Sequence, residues 1–225
     1  MKRILLLTVV ALAVGVLTTT VHADLVLSLF DGTTTMTLAD GGVGDLSPAV
    51  GMVTFIGSIG PWTVNVTTGT SKPIIGTPTV ADLDLTSMNV TTDTAGTLTI
   101  KLTDTGFSAA GLDSVLKSSI GGTTAGTVDF IQILDRGNNE FATGSGSDLV
   151  SVHLGPFSPG AFSGTGTAAA PVSGPFSLTE VVVITQAGRG ATSFNAESTV
   201  VPVPAAVLLG LLGMGAAGLK LRRFA

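Results

Sequence analysis

In the run Thr97 to Thr103, Leu98, Ile100 and Leu102 alternate strictly with Thr99, Lys101 and Thr103. An extended strand sends successive side chains to opposite faces, so this spacing makes one apolar face and one polar face, whereas a helix would scatter it around its circumference. Similar short runs, bounded by Gly, Asp, Asn and Ser, recur along the chain. Asp24 to Phe30, Thr35 to Asp40, Gly51 to Ile59, the run from Trp62, Asp82 to Thr92, Thr127 to Leu134, Ser147 to Leu154, Phe176 to Gln186 and Ala191 to Val200 all read as strands. No helical pattern interrupts residues 24–200, and no period marks a solenoid or propeller. The expectation is an all-β fold, a single β-sandwich that is jelly-roll-like in its connections.

Several local expectations follow. Trp62, Val64 and Val66 face one side and Thr63, Asn65 and Thr67 the other, with Trp62 as a core anchor. In Asp82 to Thr92 the apolar positions pass from Leu83 and Leu85 to Met88 and Val90, so a bulge or a bend belongs near Thr86 and Ser87. The turn Asp93-Thr-Ala-Gly96 predicts a hairpin between this run and Thr97 to Thr103. Val181-Val-Val-Ile184, apolar on both faces, reads as a central strand. Gly155 to Gly174, rich in Gly, Pro, Ser, Thr and Ala, reads as a long connection.

The two ends differ from the body. Residues 1–23 hold the basic pair Lys2 and Arg3, an apolar run from Ile4 to Leu17 and the small-residue ending Val21-His22-Ala23. These are the parts of a secretory signal peptide, cleaved between Ala23 and Asp24. The apolar run, at about fourteen residues, is shorter than the roughly twenty needed to cross a bilayer. Residues 201–225 begin with Val201, Pro202, Val203 and Pro204, continue through an uncharged Leu- and Gly-rich span, and end with Lys220, Arg222 and Arg223. A transmembrane helix from about Pro204 would span roughly 27 Å, with its basic tail on the cytoplasmic side.

This order of proline motif, single span and basic tail resembles the PEP-CTERM sorting signal, with Val203 standing where Glu is most usual. The resemblance implies recognition and processing by an exosortase, a membrane-embedded enzyme of bacteria that make extracellular polysaccharide. Residues 24–200 are also similar to a recurrent, uncharacterised PEP-CTERM ectodomain through Asp31-Gly-Thr33, Trp62-Thr-Val-Asn-Val-Thr-Thr68, Asp104-Thr-Gly-Phe107 and Gly174-Pro-Phe-Ser-Leu-Thr-Glu180. That likeness brings no activity with it.

Charge divides the same way. All fifteen acids lie in residues 24–200, against Lys72, Lys101, Lys117, Arg136 and Arg189, so the body carries a net charge of about −10. Such a surface excludes nucleic acid as a partner, because phosphate binding needs clustered Lys and Arg. The chain has no cysteine, which excludes disulfides, thiol catalysis and Cys-based metal sites.

Few residues point to chemistry. His153, the sole histidine after export, lies five residues past Asp148, and Gly144-Ser-Gly-Ser147 lacks the elbow that exposes a nucleophilic serine, so His153 reads as a strand histidine. Calcium would want several loop oxygens, and two loops offer them: Asp40 with Asp45, and Asp135 with Asn138 and Glu140. Gly137 and the Asn residues of the second loop suit a turn equally well. Asp82 and Asp84 share a strand face and read as a solvated edge.

These readings predict an exported structural protein of the cell surface or extracellular matrix, with no enzymatic activity and no cofactor beyond calcium. Its partners would be the export machinery, an exosortase, the membrane through its tail, and extracellular polysaccharide. The alternative is a carbohydrate-binding module, against which the single Trp and the absence of Tyr weigh. A secreted hydrolase has the least support.

Overall fold

The computed structural model describes residues 24–202 except 109, 110 and 112. Ala23 of the cleavage junction, Val203, Pro204, the expected transmembrane helix and the basic residues Lys220, Arg222 and Arg223 lie outside the described residues. The described chain forms twelve strands: β1 (Val26–Phe30), β2 (Thr35–Ala39), β3 (Met52–Ile59), β4 (Trp62–Thr70), β5 (Asp82–Thr92), β6 (Gly96–Phe107), β7 (Ser114–Thr124), β8 (Thr127–Asp135), β9 (Leu149–Phe157), β10 (Gly160–Ala169), β11 (Phe176–Gln186) and β12 (Gly190–Pro202).

Two six-stranded sheets result, in the orders β2-β1-β6-β11-β8-β9 and β10-β7-β12-β5-β4-β3, with every pairing between named strands antiparallel. We call them the first and second sheet. Strands β5 to β12 form a jelly roll, because the chain crosses between the sheets at every step except the β8–β9 hairpin. Strands β1 to β4 then widen both sheets at one side. The alternating apolar residues meet between the layers, where Trp62, Leu83, Leu85, Leu98, Ile100, Leu102 and Phe130 are fully buried. Strand β11 lies between β6 and β8, as its doubly apolar run predicts.

Four local expectations are corrected. Asp82–Thr92 and Thr97–Thr103 do not form a hairpin, since β5 pairs with β4 and β12 while β6 pairs with β1 and β11. Both strands carry one apolar face, and placing them in opposite sheets turns those faces toward each other across the core. The bulge expected near Thr86 and Ser87 is present, with β5 gaining a residue over β12 between Ser87 and Val90. Strand β4 gains one over β3 between Val64 and Thr67, and the β4–β5 register stays unbroken. The extra residue turns Thr67 inward, contrary to strict alternation, and it meets Ser87 in a buried 2.7 Å hydroxyl pair.

The third correction concerns Gly155 to Gly174, most of which is strand. β10 forms an edge of the second sheet against β7, itself a strand the hydrophobic pattern did not disclose. Fourth, the last strand, expected over Ala191 to Val200, does not end at Val200. Val201 and Pro202 continue β12, opposite Val115 and Ser114 of β7.

The two outer faces differ. The loop between β8 and β9 folds back over the first sheet, where Asn139 O accepts from Ser177 Oγ at 2.7 Å and Phe141 N–H donates to Thr103 Oγ1 at 3.3 Å. Thr103 and Thr179 are buried although they point away from the core. The central strands of the second sheet keep an open outer face.

Candidate functional site

That open face carries two rows of polar side chains set by the strand register. Thr165 of β10, Ser119 of β7, Glu197 of β12, Asp84 of β5 and Thr70 of β4 are successive partners in one row. Thr167, Lys117, Thr199 and Asp82 form the next. Two hollows of about 280 Å³ each follow these rows and share Glu197: one is lined by β10, β7 and β12, the other by Thr70, Ile75, Asp82 and Asp84. The two hollows adjoin at Glu197, and the face they occupy, called the groove below, crosses five strands, roughly 19 Å at ordinary strand spacing.

Its floor is hydroxyl-rich and its charge is concentrated. Glu197 and Asp84 stand directly opposite each other on neighbouring strands, a like-charge pairing that costs stability in a sheet. Burial pushes the Asp82 carboxyl up, and the charges of Glu197 and Asp84 push it further. Burial also raises Asp84, against hydrogen bonds from Thr86 and Asn195 that oppose the rise. Thr86 Oγ1 lies 3.0 Å from Asp84 Oδ1. Asp82 Oδ1 is buried without a hydrogen-bond partner. Lys117 is the one cation lining the groove among the described residues. Chemically, the row offers carboxylate acceptors, hydroxyl groups of both polarities and one ammonium donor.

Asp82 and Asp84 were legible as a same-face pair but not as part of a groove, because β5 is an interior strand and not the solvated edge expected. Glu197 and Lys117 carried no local signal. Only the pairing of β12 with β5 and β7 brings them alongside.

The loop carboxylates face their own backbones. Asp45 Oδ1 accepts from the N–H groups of Ser47 and Thr54, each at 2.9 Å, and Oδ2 from Gly41 N at 2.9 Å, while Asp40 Oδ2 accepts from Gly51 N at 2.6 Å. Asp135 accepts from the N–H groups of Gly137 and Asn139, each at 2.9 Å, and from Asn139 Nδ2 at 2.7 Å. Burial acts to raise the Asp135 carboxyl, but these hydrogen bonds outweigh it and hold the group below its ordinary value. Asn138 Oδ1 accepts from Gly106 N at 2.7 Å, and Glu140 is exposed. Among the described residues no three His, Cys, Asp or Glu side chains converge as a metal site would require.

His153 pairs with Asp129 and not with Asp148, its Nε2 lying 2.6 Å from Asp129 Oδ1 on the exposed face of the first sheet. Asp24, at the expected cleavage junction, accepts from Thr105 Oγ1 at 3.0 Å.

No family model and no curated protein matches the chain. Among solved structures, a carbohydrate-binding module, TmCBM61 in complex with β-1,4-galactotriose, is similar at 11% identity and a TM-score of 0.29, over 62% of this chain and 90% of that one. The enzymatically active domain of tailspike protein 4 from bacteriophage CBA120 is similar at 15% identity and a TM-score of 0.30, over 60% of this chain and 19% of that one. At such scores neither likeness carries an argument about ligand or activity.

Proposed function

We propose that this chain is an exported, non-enzymatic protein of the cell surface or extracellular matrix whose second sheet binds neutral polysaccharide. The observation that supports the reading is the groove itself: an open, hydroxyl-lined channel across five strands, with Asp84 and Glu197 opposed at its middle and Lys117 beside them. A carboxylate accepts hydrogen bonds from two neighbouring sugar hydroxyls, while Ser, Thr and Lys donate to sugar oxygens. An open channel suits a polymer lying along it better than a small molecule, which binds in an enclosing pocket. The body's net charge of about −10 disfavours an acidic polymer. Without an aromatic platform each contact is weak, so retention would rest on many copies along one polymer.

Delivery is assigned to the ends. Residues 1–23 direct export, and residues 201–225 hold the chain at the membrane until an exosortase processes the Val201-Pro202-Val203-Pro204 segment. The test is affinity electrophoresis of residues 24–202 through gels containing neutral polysaccharides, the host's own included. Retardation that disappears in the double variant Asp84→Asn, Glu197→Gln is expected, with polymer length unchanged after incubation. Unretarded migration in every neutral polymer, or shortening of the polymer, would overturn the reading.

A further inference from the structure

Lys72 and Asp104 meet in the interior of the sandwich. Lys72 is the second residue of the connection that leaves β4 of the second sheet, and Asp104 lies on β6 of the first. Lys72 Nζ is 2.7 Å from Asp104 Oδ2 and 2.6 Å from Thr105 O, and the two side chains are 2% and 0% exposed. The Phe107 ring, stacked on Phe176, lies 4.1 Å from the same nitrogen. A charged pair withdrawn this far from water needs its remaining acceptors satisfied. Here they are not: Oδ2 is 2.5 Å from Ser71 Oγ, but Oδ1 is buried with no partner. Burial pushes the Asp104 carboxyl up, against the opposing charge of Lys72. A proton passing from Nζ to the carboxyl and carried on Oδ1, the oxygen without a partner, gives a neutral amine beside a neutral carboxylic acid whose carbonyl oxygen is Oδ2, with none drawn from solvent.

We propose that Lys72 and Asp104 condense into an intramolecular isopeptide bond. The amine lone pair of Nζ attacks Asp104 Cγ and forms the C–N bond. Oδ1 then leaves as water, taking one hydrogen from the carboxylic acid and one from the amine, and no oxidant or external reactant is required. Ser71, donating to Oδ2, polarises the carbonyl and stabilises the negative charge that develops there during attack. In the product Oδ2 remains as the amide oxygen beside Ser71, the single remaining N–H faces Thr105 O, and the unpartnered oxygen is gone. The bond joins the two sheets covalently in a chain that has no cysteine to do so. It also closes a long loop in the unfolded chain, which stabilises the fold by the entropic route available to disulfides. This inference does not depend on the polysaccharide reading.

Mass spectrometry of the denatured wild-type protein tests it. The expected mass is one water below that dictated by the protein's own termini, and a digest yields one branched peptide joining the segments around residues 72 and 104. Lys72→Arg and Asp104→Ala carry their full masses. Asp104→Asn, which condenses with loss of ammonia, returns the mass of the cross-linked wild type. A wild type at full mass with separate linear peptides overturns the proposal, as does a water loss that maps to any other residues. Because the wild-type spectrum decides, a variant that fails to fold does not weaken the test.

Discussion

Ser198 Oγ lies 2.7 Å from Glu180 Oε1 and 2.6 Å from Gln132 Oε1, between the two sheets and out of reach of solvent. A hydroxyl has one proton and cannot donate to both oxygens. The contacts are satisfied together when Glu180 is protonated and donates to Ser198, which then donates to Gln132. Burial pushes the Glu180 carboxyl well above its ordinary value of 4.5; the Ser198 hydrogen bond opposes this, and Asp84, Asp82 and Glu197 add to the rise. The fold therefore holds a proton that the unfolded chain releases. Below about pH 4.5 both states are protonated and Glu180 costs nothing on this account. Above it the unfolded chain ionises alone, so stability falls as pH rises toward the folded value. Glu180→Gln retains a donor to Ser198 and cannot ionise. Its advantage over the wild type should grow from about pH 4.5 upward, by as much as roughly 1.4 kcal/mol per pH unit. Urea unfolding midpoints from pH 4 to 8 measure this, and parallel profiles for the two proteins would refute it.

Asp135 has the opposite sign. Three donors from the β8–β9 loop hold its carboxylate in the ionised form, so its contribution is present at neutral pH and is lost as pH falls through its lowered folded value. Replacing it with Ala leaves those donors unpaired, at a cost of about 1.5–3 kcal/mol at pH 7. Since these donors occupy the oxygens a cation would need, millimolar calcium should leave the melting temperature of the wild type where it is. A rise of several degrees that vanishes in Asp135→Ala would contradict that assignment.

The opposed pair in the groove should separate binding from stability. Glu197→Gln removes one of two like charges placed face to face, and unfolding experiments should find the variant more stable by about 0.2–1 kcal/mol. The same change should weaken polysaccharide retention by roughly tenfold or more, the loss expected for a hydrogen bond to a charged group. Opposite signs mark a residue kept for what it binds. If stability and retention fall together, Glu197 supports the sheet and the groove loses its central contact.

How far the fold could be read follows from which side chains do the packing. Runs such as Leu98 to Leu102 announce their faces because large apolar groups alternate with polar ones. Strand β10 gives no such signal. Its inward positions are Phe162, Gly164, Gly166 and Ala168, so Gly160–Ala169 looks like a linker. The missing side chains are the reason the strand fits. A Cβ on Gly166 would come within 2.6 Å of Val152 Cγ1, and one on Gly164 within 2.9 Å of the Phe157 ring. The groove was hidden for a related reason, since its residues lie on five strands far apart in sequence and only register gathers them. Gly166→Val should overpack the β9–β10 contact and cost about 1–3 kcal/mol. An unchanged melting temperature would show that the edge opens freely to accept the side chain.

The last strand of the sandwich runs to Pro202. Val200 is 1% exposed, and its N–H donates to Ala81 O at 3.0 Å, while Val201 and Pro202 remain in register with β7. Cutting after Pro202 leaves every described strand whole. Cutting after Thr199 removes a buried valine, worth about 1.5–3 kcal/mol, together with the end of the β12–β7 ladder. Residues 24–202 should therefore melt at the same temperature as residues 24–225, and residues 24–199 several degrees lower. If an exosortase processes this chain, mass measurement of the mature form should place its C-terminus at or beyond Pro202. A mature form ending before Val200 would mean that processing dismantles the strand, which would argue against a proline-motif cleavage site at the domain's edge.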